Sequence, residues 1–219
     1  MKALVLSDIH GEIEELRSIL NRETGYDLIV VAGDITDTSV DDYRGRAEEI
    51  VDLLDEQGRF VKAVPGNMDD EDILEVLVRN RVNLHKDLFT LGEYDFVGFG
   101  GGRTPPGVET PFEPEDEERG EILGQLLDRT KSERTAVVSH EPPKNTSADR
   151  TSSGDHVGSE ELRSLIEDGD IDLVISGHIH EAVGRDEVGG TVVVNPGPVK
   201  QGKYAVVEME DGIDIEFRG

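Results

Sequence analysis

The sequence contains no cysteine among its 219 residues. Disulfide bonds and thiolate chemistry are therefore excluded, and any metal ion must be held by nitrogen and oxygen ligands. The chain also lacks an apolar run of membrane-spanning length, and no segment near Met1 resembles a signal peptide. We therefore expect a cytoplasmic protein without a membrane partner.

Basic residues are scarce, with 22 lysines and arginines against 49 aspartates and glutamates and a formal net charge of −27. The acids are scattered along the chain rather than collected in a tail. Self-repulsion of this size is tolerable where salt screens it. We therefore interpret the acidic composition as halophilic adaptation to a salty cytoplasm, with a merely acidic protein as the alternative. Because no basic stripe is present, we do not expect long nucleic acid as a partner.

The first part of the chain alternates short apolar runs with segments of helical periodicity. Repeated strand–helix units of this kind predict a parallel sheet with right-handed crossovers. Strands are predicted at 3–6, 28–32 and 60–64, and helices at 12–20, 46–54 and around 73–78.

The rhythm then changes to antiparallel strands, a Gly/Pro-rich loop, a charged helix and further short strands. No repeat or linker divides the chain, and its length suits one α/β domain. We therefore predict a single domain, 1–219, built from two facing mixed β-sheets flanked by helices. The later strands are predicted at 88–91, 96–99, 135–139, 173–176, 183–188, 191–194, 204–207 and 213–217, and the later helices at 115–130 and 159–167.

Five of the predicted strands are each followed by at least one residue able to bind a metal. A single strand end of this kind is equally well explained by a capping aspartate and a surface histidine. Five strand ends that each carry such a residue are not well explained in this way. In α/β folds with parallel sheets, functional sites lie at the carboxyl edge of the sheet. The residues are Asp8 and His10, Asp34, Asn67, His140, and His178 with His180.

The order of these residues resembles the calcineurin-like metallophosphoesterases, whose pattern is D-x-H, G-D, G-N-H-[DE], H and G-H-x-H. The chain matches it at Asp8–His10, Gly33–Asp34, Gly66–Asp69, His140 and Gly177–His180. The match extends to the turn 195–197, so it covers nearly the whole chain, and it looks closest to the small prokaryotic phosphodiesterase-like branch. The resemblance implies a four-layer α/β/β/α sandwich and a hydrolase that acts on phosphodiesters rather than monoesters.

The resemblance also implies two divalent metal ions that share one carboxylate. The first site comprises Asp8, His10, Asp34 and His180. The second comprises Asp34, Asn67, His140 and His178. Asp34 and Asn67 are expected to be catalytic as well as metal-binding, with a metal-bridging hydroxide as the nucleophile. Mixed oxygen and nitrogen ligands suit manganese, our first expectation, and equally iron, zinc or nickel.

Met68 is the one departure from the family pattern. The family has a histidine at this position, which assists the leaving group and is oriented by the acid that follows, here Asp69. A thioether is only a weak acceptor and cannot donate a proton. We therefore expect either a preference for good leaving groups or a substitute residue.

Two loop residues are candidates for contacting a small phosphoester substrate. The Arg103 guanidinium matches the geometry of a phosphate group, and His156 is a candidate to replace the missing histidine as the acid that assists the leaving group. A solvated surface role is the alternative for each. His85 lies away from the motif edge and is expected to be structural. A non-catalytic interaction protein on the same fold is the competing function, favoured only by Met68. The choice between a monomer and a homo-oligomer stays open.

Overall fold

A computed structural model describes residues 1–105 and 107–219, and within them the chain forms two β-sheets. Every predicted strand is present. The strands are β1 Lys2–Leu6, β2 Leu28–Ala32, β3 Phe60–Val64, β4 Asp87–Leu91, β5 Tyr94–Phe99, β6 Arg134–Ser139, β7 Leu173–Ile175, β8 Gly184–Val188, β9 Thr191–Asn195, β10 Tyr204–Met209 and β11 Ile213–Arg218.

The predicted helices are also present, with ends that differ by a few residues. The charged helix ends at Leu127 rather than at Thr130, because Arg129 and Thr130 make tighter i−3 hydrogen bonds to backbone carbonyls. Ser159 caps the last helix, its side chain accepting a hydrogen bond from the Leu162 amide. The helices are α1 Ile13–Arg22, α2 Tyr43–Asp55, α3 Glu71–Arg79, α4 Asp116–Leu127 and α5 Glu160–Asp168.

Both sheets are mixed, as predicted. The five-stranded sheet has the order β11-β10-β1-β2-β3, in which β1, β2 and β3 are parallel. The six-stranded sheet has the order β4-β5-β6-β7-β9-β8, in which β5, β6, β7 and β9 are parallel. The remaining pairings, including the three edge hairpins β4–β5, β8–β9 and β10–β11, are antiparallel.

Three apolar clusters separate four layers. Between the sheets, Val5 and Val30 of one pack into a cluster with Val138 and Ile175 of the other. A second cluster joins the outer face of the five-stranded sheet to α1, α2 and α3, and a third joins the six-stranded sheet to α4 and α5. The fold is therefore the expected α/β/β/α sandwich, in which parallel strands from both sheets end at one edge.

None of the described helices is both long enough and apolar enough to cross a membrane. His85, predicted to be structural, is buried beside Phe99 and Phe112, and its Nδ1 accepts a hydrogen bond from the Gly100 amide at 2.8 Å. It thereby fixes the start of the loop that follows β5.

Candidate metal centre

The turns after the parallel strands have an unusual backbone. Asp8, His10, Asp34 and His178 all have φ between 50° and 68°, in the left-handed region that residues other than glycine rarely adopt. Hydrogen bonds between neighbouring turns hold this geometry, since the Asp8 amide donates to the Gly33 carbonyl and the His10 amide donates to the Asp34 carbonyl. Such strain persists only where the surroundings determine it, and it is concentrated at functional sites.

Four predicted ligands form one compact cluster. Asp8, His10, Asp34 and His180 each place a ligand atom within 4.8 Å of the others. His180 Nε2 lies 3.1 Å from Asp8 Oδ1 and 3.4 Å from His10 Nε2. The structure thus brings together the four residues predicted for the first metal.

The residues predicted for the second metal lie on the other side of Asp34. His140 Nε2 is 3.1 Å from Asn67 Oδ1 and 3.5 Å from Asp34 Oδ1. His178 stacks edge-on against His140, with ring centroids 5.0 Å apart. All seven predicted ligands therefore meet at the shared edge of the two sheets.

Asp34 lies between the two groups and presents one oxygen to each. Its Oδ2 is 3.5 Å from His10 Nε2, while its Oδ1 faces His140 and accepts a hydrogen bond from the Met68 amide at 2.9 Å. Gly66 is required beside it, because a Cβ there would overlap the Asp34 carboxylate. The glycine of the Gly–Asn motif therefore makes room for the central acid.

Backbone carbonyls orient both histidines of the second group. His140 Nδ1 lies 2.6 Å from the Ala32 carbonyl oxygen, and His178 Nε2 lies 2.9 Å from the Arg103 carbonyl oxygen. Each pairing places a proton on the nitrogen that faces the carbonyl, which leaves His140 Nε2 and His178 Nδ1 with free lone pairs. Ligand histidines in metalloproteins are oriented by contacts of this type.

Arg103 is itself fixed by Glu141. Its Nε and Nη2 donate to Glu141 Oε1 at 3.0 and 2.8 Å, and its amide donates to Glu141 Oε2 at 3.2 Å. Arg119 donates to the same carboxylate from α4 at 2.7 Å, and both Arg119 and Glu141 are fully buried. This ion network sets the position of the carbonyl that His178 contacts; its members Asp116, Arg119 and Glu141 are buried, and Arg103 is exposed.

The sequence analysis missed Glu141 and Arg119. Glu141 follows a predicted ligand, His140, which was the one available signal. Arg119 appeared to be one charge among many on a surface helix, yet its side chain is 0% exposed. A charge buried to this degree must be paired, and its acidic partners are Glu141, just after β6, and Asp116 of its own helix.

The two loop candidates for substrate contact are both held by acids. The Arg103 guanidinium is engaged by Glu141, as described. His156 Nδ1 lies 2.6 Å from Asp149 Oδ1, and this contact, rather than one with a predicted ligand, is its side-chain hydrogen bond among the described residues. Direct substrate contact by either residue stays a prediction.

Among the described residues, Asp69 makes its side-chain hydrogen bonds to backbone amides rather than to the side chain at position 68. It is buried and accepts hydrogen bonds from the amides of Ile35, Thr36 and Gly66, so it ties the turn after β2 to the turn after β3. Burial and the nearby Asp34 raise the pKa of Asp69 to about 7. Met68 is half-buried beside it.

Burial and the Asp34 carboxylate have the largest effects on the pKa values of the side chains in the centre. Burial acts to lower the pKa of His140, but the adjacent Asp34 carboxylate outweighs it and raises that pKa to about 9. Burial raises the pKa of Asp34, whereas His140 lowers it more, so the net shift is downward. Burial lowers the pKa of both His10 and His178. The centre therefore concentrates negative charge and lone pairs in a buried space.

This donor set fits divalent cations. His140 Nε2 lies within 3.5 Å of both Asn67 Oδ1 and Asp34 Oδ1, although with Nδ1 of a neutral His140 protonated all three atoms are acceptors. Acceptors approach so closely only around a cation or a proton. Metal binding would displace the proton that His140 otherwise holds, because ligand histidines must be neutral.

Comparisons with known proteins agree with this geometry. The calcineurin-like phosphoesterase family model matches residues 1–182. An uncharacterized protein of Methanocaldococcus jannaschii is 33% identical over 205 residues, which are 90% of this chain and 88% of that protein.

Two solved structures share the fold. A protein of Thermus thermophilus superposes with a TM-score of 0.80 at 19% identity, covering 100% of this chain and 98% of that one. A dimetal phosphatase from Danio rerio superposes with a TM-score of 0.71 at 15% identity, covering 100% and 96%. With a family model that spans most of its length and the complete ligand pattern at one sheet edge, this chain belongs to the calcineurin-like phosphoesterases.

Proposed function

We propose that the protein is a phosphodiesterase that uses two divalent metal ions. The observation that carries this proposal is the position of Asp34, whose two oxygens face two separate groups of nitrogen and oxygen donors. Only a carboxylate can offer an anionic oxygen to each of two cations. The family is dependent on a dinuclear metal centre, and the described Asp/His cluster fits one.

The predicted ligands would form two metal sites that share one residue. Asp8, His10 and His180 would hold one cation, and Asn67, His140 and His178 the other, with Asp34 shared. When bound, such a pair of cations neutralises phosphoryl charge and lowers the pKa of water. Manganese is our first choice, and iron, zinc and nickel suit the same ligands.

The pairing of the nearby cationic side chains supports diesters over monoesters. A monoester carries a second negative charge, which a site normally meets with free arginine or lysine side chains. Arg103 and Lys144, which line the cavity beside His178, are already paired with Glu141 and Glu160. The fold is similar to that of the dimetal phosphatase from Danio rerio, which supports the metal chemistry. That similarity does not distinguish a diester from a monoester substrate.

A non-catalytic interaction protein is the second candidate, and Met68 is the observation that favours it. The histidine expected there would assist the leaving group, and methionine cannot. A docking scaffold, however, has no need for seven converging ligands.

Metal analysis and hydrolysis of bis(4-nitrophenyl) phosphate separate these candidates. The protein is stripped with a chelator, reloaded with Mn²⁺, and assayed beside Asp34→Asn and the surface control Asp41→Asn. We expect about two metal equivalents and hydrolysis in the wild type and in Asp41→Asn, with both lost in Asp34→Asn. Full metal loading without hydrolysis of any aryl or alkyl diester would favour the scaffold.

A further inference from the structure

A cavity of about 450 Å³ opens beside the second group of ligands. His178, a predicted ligand of the second metal, and Ile179 line it, so the cavity adjoins the metal centre. Its size lies in the range of sites that bind small organic molecules. The proposed function leaves it unexplained, because metal ligation and phosphoryl chemistry take place at the sheet edge itself.

The polar side chains of this cavity are already engaged. Arg103 is bound to Glu141 and to the Gly158 carbonyl, and Lys144 pairs with Glu160. The hydroxyls are used as well: Thr104 bonds to the Val108 carbonyl and Glu113, and Thr151 bonds to Ser153 and the Asp155 carbonyl. His178 Nε2 contacts the Arg103 carbonyl. A polar ligand group entering here would therefore have to compete with contacts that the lining already makes.

What the cavity offers is apolar surface. Pro105, Val157 and Ile179 line it, and Val157 is one of few large apolar side chains that are substantially exposed, at 42%. The two cationic side chains that line the cavity, Arg103 and Lys144, are each paired with a glutamate, and the net charge of the protein is −27. A further anionic group would therefore be repelled rather than bound.

We infer that this cavity binds an uncharged, predominantly apolar organic arm of the phosphodiester, of aryl or branched alkyl type. Esters whose arms carry an additional phosphate or carboxylate are excluded by the same surface. The inference rests on the proposed function and specifies its substrate class. It assigns Val157 as a specificity-determining residue.

The test uses two symmetrical diesters, so that either arm reports on the cavity. The first is bis(4-nitrophenyl) phosphate, and the second is bis(3-carboxy-4-nitrophenyl) phosphate, which has similar leaving groups that each carry a carboxylate. We expect the Mn²⁺-loaded protein to prefer the uncharged diester roughly tenfold or more, through KM rather than kcat, because only ground-state binding differs.

Val157→Lys places an unpaired cation in the cavity without touching a metal ligand. It should lower KM for the carboxylated diester several-fold and raise KM for the uncharged one. Val78→Lys is the matched control, since Val78 is also an exposed valine, at 56%, but lies on α3 and does not line this cavity. It should leave the ratio of the two KM values unchanged.

Calorimetric titration with both diesters is run on the same samples, so the preference is measured even without turnover. Equal affinity for the two diesters in the wild type, or equal responses of Val157→Lys and Val78→Lys, would overturn the inference. A clear preference without hydrolysis would support this inference and count against the proposed function alone.

Discussion

On the first side of the centre, the side chains of Asp8, His10 and His180 contact one another directly. On the second side, His140 and His178 are each held by a backbone carbonyl, and one of these carbonyls depends on a largely buried ion network. Each side combines two histidines with one oxygen ligand, the Asp8 carboxylate on the first side and the Asn67 amide on the second. They differ in how far from the centre their supports lie.

The difference shows which ligands are positioned by neighbouring residues and which depend on residues far away in the sequence. Asp8 and His10 are positioned by a turn that hydrogen bonds to the next turn in the sheet. His178 is positioned by Arg103, which lies 75 residues away in sequence and is itself held by Glu141 and, through it, by Arg119. We expect the second side to be more sensitive to changes remote from the ligands.

Asp34→Asn should have the largest effect, because it removes the acid common to both sides. Occupancy should fall at both metal positions, and kcat/KM should drop roughly a thousandfold. Metal analysis and diester kinetics measure this, with Asp41→Asn as the control. Two full metal equivalents in Asp34→Asn would show that Asp34 is not the bridge.

Met68→His tests leaving-group assistance on the second side. A histidine donates a proton to a departing alkoxide, a step that contributes about a hundredfold or more. Alkyl esters should therefore gain more than nitrophenyl esters. If His156 already supplies the proton, His156→Ala should damage alkyl substrates selectively, and Met68→His should partly restore them. Equal alkyl-to-aryl rate ratios in the wild type, both single variants and the double variant would refute both roles.

Glu141→Gln should weaken one side and spare the other. The loss of its charge loosens Arg103 and so the carbonyl that orients His178, and supports of this kind contribute about 10–100-fold to metal affinity. Calorimetric Mn²⁺ titration should show one weakened and one unchanged site. Glu118→Gln, which removes an exposed ion pair with Lys86, is the matched control. Equal weakening of both sites would indicate general destabilisation instead.

Added salt should give the smallest effect and leave the centre untouched. If the acidic surface is a halophilic adaptation, the melting temperature should rise as KCl goes from dilute to molar, because screening reduces repulsion among surface acids. Metal stoichiometry should stay constant, since the ligands are largely buried. A flat or falling melting temperature would contradict the adaptation.

The fold and the ligand positions could be predicted because their signals are short-range. Apolar runs such as 28–32 predict strands, and each ligand follows its own strand. Glu141 and Arg119 carry no such signal, because their pairing depends on how α4 packs beside β6. The same limit applies to Arg103. Its side chain, a candidate for phosphate contact, pairs with Glu141, and its carbonyl supports His178; neither contact could be read from the sequence.

The ligands come from both sheets: Asp8, Asp34 and Asn67 follow strands of one, and His140 and His178 follow strands of the other. A bound metal pair would therefore act as a cross-link between the two halves of the sandwich, in a chain that has no cysteine for a covalent one. Because the metal would bind the folded state, the free energy of unfolding should rise with metal concentration. The gain is about 2.7 kcal/mol for one site when the free metal concentration is a hundred times its Kd. Chelation should therefore lower the free energy of unfolding of the whole sandwich, and not only the activity of the centre.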